Sequence, residues 1–140
     1  MSAIRIARTD AEIAACFAVM RELRTHLVAA NFLDRVRQQE AGGYHLAYLG
    51  DEDTVRAVAG YRVLDNLFGG RILYVDDLVT APTCRSKGYG KALLGWLVEH
   101  AKEQGCAFLE LDSGVQRFDA HRFYLSNRMI ISAHHFALKL

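Results

Sequence analysis

Residues 71–112 read RILYVDDLVT-APTCRSKGYG-KALLGWLVEHAKEQGCAFLELD, and the fold turns on how this stretch is divided. The first ten residues are an apolar strand interrupted only by Asp76 and Asp77. From residue 88 the period becomes helical: Leu93, Leu94, Leu97 and Ala101 share one face, opposite Lys91, Glu99 and Lys102. Gly105 is placed to take a left-handed cap at the end of helix 88–104. The run 106–112 then reads as an apolar strand of the kind buried in a sheet centre. Strand, helix and strand in this order predict a right-handed crossover, hence one parallel pair.

Outward from this unit, the remaining chain reads as antiparallel. Residues 3–8 alternate as a short first strand. Thr9 and Glu12 have capping-box spacing, and Ile13, Phe17, Met20, Leu23 and Leu27 predict one amphipathic helix to about Ala29. A shorter helix is expected from Phe32 to Gln39. Residues 44–49 and 54–63 then form a hairpin around the turn GDED. After the crossover, residues 118–127 predict a short helix and 129–140 a closing strand or hairpin. The expected class is α/β in a mixed sense: a mostly antiparallel central sheet with one parallel pair and helices on both faces. Residues 1–140 are read as a single domain.

Bulk properties exclude several function classes. The hydrophobic fraction of 51% and charged fraction of 24% are those of a globular chain. A net charge of +1 gives no electrostatic case for a nucleic-acid or membrane-surface partner. No apolar run approaches the roughly 18 residues of a membrane span, and the N-terminus lacks secretory-signal character. Cys16, Cys84 and Cys106 are odd in number and without zinc-ligand spacing, which predicts a reducing, cytoplasmic compartment and no metal.

The loop TCRSKGYGK carries the first chemistry. It opens a helix, where the leading amides lack intrahelical partners and the dipole is positive. Gly88 and Gly90 allow a tight turn and a close backbone approach, and Arg85, Lys87 and Lys91 surround the same place. The alternative is a plain strand–helix loop with solvated cations. The nucleotide-binding P-loop fails because Gly-Tyr-Gly-Lys-Ala lacks its spacing, and the dinucleotide fingerprint fails at Leu93.

Arg85-Ser86-Lys87-Gly88-Tyr89-Gly90 resembles the Gln/Arg-x-x-Gly-x-Gly/Ala signature of the GNAT superfamily of N-acetyltransferases. The element order is similar over nearly the whole chain. The resemblance implies that loop residues Arg85 to Lys91 bind the pyrophosphate of acetyl-CoA. It also implies that pantetheine pairs like an extra strand with the backbone of Leu78, Val79 and Thr80, where the parallel strands splay apart. The implied reaction is acetyl transfer to a primary amine, by direct attack in a ternary complex. The acceptor is a small-molecule or peptide amine, read by residues 25–40 and the C-terminal hairpin. Arg24, Arg35, Arg37 and Glu40 there are of mixed charge and name no class. Dimerisation is common in the family, and the apolar final strand allows a homodimer.

Amine acetylation needs a proton acceptor for the amine and a donor for the departing thiolate. Asp76 and Asp77, as neighbours in a strand, are expected to face opposite sides of the sheet, so one faces a wet cleft. The family commonly has an acidic residue near Asp76, which makes it the first choice of base and Asp77 the second. Either also reads as an ion-paired structural aspartate. A backbone N–H near Leu78 would polarise the carbonyl as it becomes an oxyanion. Tyr124 is protonated at neutral pH, with a reference pKa of about 10, and can serve as the acid. It follows Phe123 as in the family, and Asn127 fits too, but Arg128 and Met129 stand where the family has Gly-Phe. Tyr124 also reads as a core aromatic.

Ser113 ends the second parallel strand, where the family often has an asparagine bonding the cofactor arm; it also reads as a turn or cap serine. His134 and His135 alternate faces, His100 and His121 read as solvated, and Cys84 has no identifiable base. A second functional class, a non-catalytic acyl-CoA-binding regulatory module, would keep the loop without turnover. A third, a dimeric α/β interaction protein, would bind no phosphate at Gly88.

Overall fold

The computed structural model describes residues 3–51 and 53–140. They fall into two compact units, residues 1–110 and 111–140. The first holds β1 (Ile4–Ile6), α1 (Asp10–Ala15), α2 (Phe17–Leu23), α3 (Ala29–Glu40), β2 (Tyr44–Gly50), β3 (Val55–Asn66), β4 (Gly70–Thr80), a 3₁₀ turn (Pro82–Cys84) and α4 (Tyr89–Glu103). The strands lie in the order β1-β2-β3-β4-β5, with β5 spanning Phe108–Leu111. Pairing is antiparallel from β1 through β4, and β5 runs parallel to β4. The crossover expected between strands 71–80 and 106–112 is therefore present. No helix among the described residues is long and apolar enough to cross a membrane.

Alternation along the strands divides the buried side chains between two faces. Tyr44, Leu46, Tyr48, Val58 and Val79 pack with Ile13, Cys16, Met20, Phe32 and Val36 of α1–α3. On the other face Tyr61 meets Trp96 and His100 of α4, which buries Leu93, Leu94, Leu97 and Ala101. With both faces covered, Ala57 through Tyr61 are buried without a break.

The expected single helix from Thr9 to Ala29 is instead two short ones and a turn. Thr9 and Glu12 form the capping box, and Glu12 also accepts from the hydroxyl of buried Tyr48 at 3.0 Å. A tight bond from Cys16 N to the Ile13 carbonyl, 3.0 Å, closes α1. Helix α2 stops at Leu23 because Arg24 leaves helical geometry, its guanidinium bound to β4. Helix α3 is longer than expected, starting at Ala29. Gly105, at φ +74°, caps α4 as read from the sequence: its amide reaches Lys102 O, and Cys106 N reaches Ala101 O. Strand β5 is an edge of the sheet, not its centre, and Phe108 is 56% exposed.

The second unit holds α5 (Phe118–Ser126). Residues 130–140, expected to form a strand or hairpin, carry no regular structure. Alternating apolar residues specify a strand only where a neighbour strand receives their backbone bonds, and none among the described residues does so here. At the end of α5, Arg128 adopts φ +71°, with its amide on Leu125 O and that of Met129 on Tyr124 O, both 3.1 Å. This is the same left-handed cap as at Gly105. Arg128 thus keeps the turn that a glycine would make, at a steric cost of about 1–2 kcal/mol. Replacing it by glycine removes that cost but adds unfolded-state entropy of roughly 0.5–1 kcal/mol. Arg128→Gly is therefore expected to stabilise the chain by about 0.5–1 kcal/mol in urea unfolding, and Arg128→Ala to change little.

Candidate active site

The site is built on an irregularity in β4. Pairing with β3 passes from Gly60 opposite Asp77 to Tyr61 opposite Val75, so Asp76 has no partner across the ladder. It is the extra residue of a β-bulge. The bulge resets the alternation, and Asp76 and Asp77 line the same cavity, about 430 Å³ in volume, instead of facing opposite sides of the sheet. The sequence expectation was wrong here because strict period two assumes an unbroken ladder. Met20, Leu27, Phe32 and Val36 give the cavity an apolar wall.

Each carboxylate has its own arginine. Asp77 is 12% exposed, accepting from Arg24 Nε at 2.8 Å on one oxygen and from the Tyr44 hydroxyl at 2.7 Å on the other. Burial and the neighbouring Asp77 charge raise the Tyr44 pKa well above 10, so Tyr44 stays a donor. Asp76 accepts on both oxygens from Arg62 Nε, at 3.0 and 3.2 Å. Arg62 is itself held by Gln39 Oε1 at 2.5 Å and lies over the Tyr44 ring. Burial raises the Asp76 carboxyl above its ordinary 3.8, and the Arg62 bond and charge oppose this only in part. Asp77 is thus bound by two different side chains, whereas Asp76 is bound by a single guanidinium and is a half-buried carboxylate of raised pKa.

Gly60 makes this arrangement possible. A Cβ there would collide with the Tyr44 hydroxyl and ring and with the Asp77 carboxylate. Sequence reading passed over Gly60, Tyr44 and Arg62. A signal existed for Arg62: two carboxylates in an apolar strand demand cations, and Arg62 interrupts the facing strand.

Downstream of Asp76, Leu78, Val79 and Thr80 pair with Ala59, Val58 and Ala57 along one edge of β4. On the other edge, Ala107 N bonds Arg71 O at 2.8 Å near the start of β5. Counted from that bond, the four residues of β5 reach no further than the middle of β4. Arg85, Ser86, Lys87, Gly88 and Lys91 are exposed, while Tyr89 and Gly90 are half-buried. Gly88 (φ +84°) and, unforeseen, Ser86 (φ +63°) are both left-handed. Helix α4 has no side-chain cap, and its first bond runs from Ala92 N to Gly88 O. The amides of Tyr89, Gly90 and Lys91 thus lack helical acceptors. Uncapped amides, a glycine whose added Cβ would meet open space and three nearby cations fit a pyrophosphate. Tyr89 also stacks under Arg56, 5.9 Å from its ring centre.

In the second unit, Ser113 Oγ is buried and has no hydrogen-bond partner among the described residues, so it neither caps α5 nor closes a turn. A hydroxyl in that state fits a donor awaiting a ligand. Tyr124 lies on α5 against Phe123. Burial raises its pKa, which charge and a hydrogen bond from Arg117 oppose.

The sequence profile of the acetyltransferase (GNAT) family matches residues 8–127. The chain belongs to the GNAT acetyltransferase family. An uncharacterized N-acetyltransferase of Bacillus subtilis (strain 168), YhdJ, is 41% identical over 116 residues, covering 81% of this chain and 80% of the relative. The aminoalkylphosphonate N-acetyltransferase of Salmonella typhimurium (strain LT2) is 41% identical over 51 residues, 36% of this chain and 33% of that one. Among solved structures, the aminoglycoside N-acetyltransferase AAC(6')-Iy in complex with CoA superposes with a TM-score of 0.83 at 11% identity, covering 100% of this chain and 96% of that one. With this family match and these relatives, the chemistry of the GNAT chain is that of an N-acetyltransferase.

The dependence of the carboxylate pair on Gly60 is open to a direct check. Gly60→Ala is expected to displace Tyr44 and destabilise the chain by about 1–3 kcal/mol in urea unfolding. Gly95→Ala, at an α4 position with open space around it, is expected to raise stability by about 0.5–1 kcal/mol. Equal effects of the two substitutions would contradict the steric reading.

Proposed function

We propose that the chain moves the acetyl group of acetyl-CoA to a primary amine by direct attack, with residues 1–140 acting as one catalytic domain. The family match across both units supports the domain reading. The observation that carries the mechanism is Asp76: a half-buried carboxylate of raised pKa, on a bulge, in a cavity large enough for a small amine. The co-substrate supplies an activated thioester. Arg85 through Lys91 hold its pyrophosphate, with the Tyr89, Gly90 and Lys91 amides as donors. The backbone of Leu78, Val79 and Thr80, beyond the reach of β5, carries its arm, and Ser113 adds a hydroxyl.

Asp76 takes a proton from the acceptor amine as the N–C bond forms and the C–S bond breaks. The backbone N–H near Leu78 meets the negative charge on the carbonyl oxygen. Tyr124, protonated at neutral pH, donates a hydrogen bond and then a proton to the sulfur as the C–S bond breaks, and is reprotonated from solvent while Asp76 releases its proton there. Asp77, held by two separate groups, Arg24 and Tyr44, and more deeply buried than Asp76, positions rather than reacts. Free Cys16, Cys84 and Cys106 support a reducing, cytoplasmic setting.

CoA release with a panel of amines tests the reading. Asp76→Asn and Tyr124→Phe are each expected to lower kcat by about 10²–10⁴-fold without weakening acetyl-CoA binding. Gly88→Glu is expected to abolish that binding. In the wild type, activity should fall as pH drops through the raised Asp76 pKa, because only the carboxylate accepts a proton. The acid limb should therefore lie above the ordinary carboxylate value and vanish in Asp76→Asn. Tight acetyl-CoA binding with no amine acetylated would replace this reading with that of a non-catalytic regulatory module.

A further inference from the structure

We infer that the acceptor amine carries an anionic group, held by Arg35 in the same cavity that holds Asp76. This deepens the proposed function and rests on it for the position of the amine. The charges around the cavity pair off until one remains. Asp77 is matched by Arg24 and Asp76 by Arg62. On α3, Arg37 is matched twice over, by Asp10 and Glu40. Arg35 lines the cavity and makes no hydrogen bond or ion pair with any described residue. Its neighbours three and four positions away, Asn31, Phe32, Gln38 and Gln39, offer no carboxylate.

Arg35 also stands at a defined step from the reacting end. Gln39 lies one helical turn further along α3, roughly 6 Å. The Gln39 amide oxygen is tied to Arg62 Nη2, and Arg62 Nε is tied to Asp76. One side of the cavity thus presents a carboxylate and, beyond the Arg62–Gln39 link and one further turn of α3, an unmatched guanidinium. His26 lines the same cavity beside Arg24. A short zwitterion, with its amine at Asp76 and a phosphonate or carboxylate at Arg35, satisfies both ends. A diamine would bring a second cation to a cavity that already has one in excess. A guanidinium also suits planar carboxylates and phosphonates through paired N–H donors.

The test compares 2-aminoethylphosphonate and β-alanine with ethanolamine and 1,2-diaminoethane, in wild type, Arg35→Ala and Arg35→Lys. Arg35 is exposed, so folding of the variants is checked simply by their unfolding midpoints. The expected result is a kcat/KM for the anionic amines at least about tenfold above that for the other two. Arg35→Ala should erase that preference, and Arg35→Lys should keep part of it. A wild type that prefers 1,2-diaminoethane, or an Arg35→Ala that slows all four amines alike, overturns the inference. Calorimetric binding of 2-aminoethylphosphonate to the protein separates this from failure of the proposed reaction. If no amine is acetylated, binding lost in Arg35→Ala sustains the anion site while the reaction falls. Absent binding, or binding unchanged by Arg35→Ala, overturns the site itself.

Discussion

Two adjacent carboxylates in the middle of a buried strand are an electrostatic liability, and much of the first unit is arranged around it. A half-buried carboxylate without a partner would protonate or pull its strand toward water. Here the bulge brings both to one side, where two guanidiniums from different elements meet them. Arg24 draws the end of α2 onto β4 by bonding Asp77 and the Asp76 carbonyl together. Arg62 joins β3 to α3 through Gln39 and to the following loop through Gly42 O at 3.4 Å. Losing one partner of such a pair costs more than the pair itself contributes, so each link constrains the next. The break in the helix after Leu23 and the need for glycine at position 60 are consequences of this network rather than independent features.

Strand β4 also sets the spacing of the proposed chemistry. From Asp76 to Thr80 it advances about 13 Å, at roughly 3.3 Å per residue. Pro82–Cys84 and the turn to Gly88 then deliver the uncapped start of α4. The carboxylate end and the amide end thus belong to one continuous segment with its own backbone ladder to β3. Placing both on a rigid strand and helix, rather than on separate loops, limits how far either can drift.

The legible parts of this chain were those whose signals are local. Helix α4, its glycine cap and the loop before it follow from period, dipole and backbone freedom within some twenty residues. The capping box at Thr9 and Glu12 is equally local. The facing of Asp76 and Asp77 was not, because a bulge is a property of two strands and leaves no mark on either alone. The same holds for residues 130–140, whose alternation describes a strand only if a neighbour exists. Arg128 shows the reverse: it stands where the family has glycine, yet the backbone bonds to Leu125 and Tyr124 hold the left-handed conformation. Cap bonds summing over two amides outweigh a local penalty of about 1–2 kcal/mol.

The acceptor end was hidden for a further reason. From sequence, Arg24, Arg35 and Arg37 are equivalent cations, and a net charge of +1 says nothing about which is spoken for. Folding distinguishes them by assigning counterions: Arg24 and Arg37 are consumed by carboxylates from other elements, and Arg35 is not. The cations that hold the fold are removed from recognition, and only the remainder can select a ligand. In a cavity whose carboxylates are already neutralised, that remainder sets the sign of the field an acceptor meets. On the proposed anion site, specificity is a residual of the structural electrostatics. Mutations that repair or break a structural pair, even one distant from the amine, would shift the residual and with it the preferred charge of the acceptor.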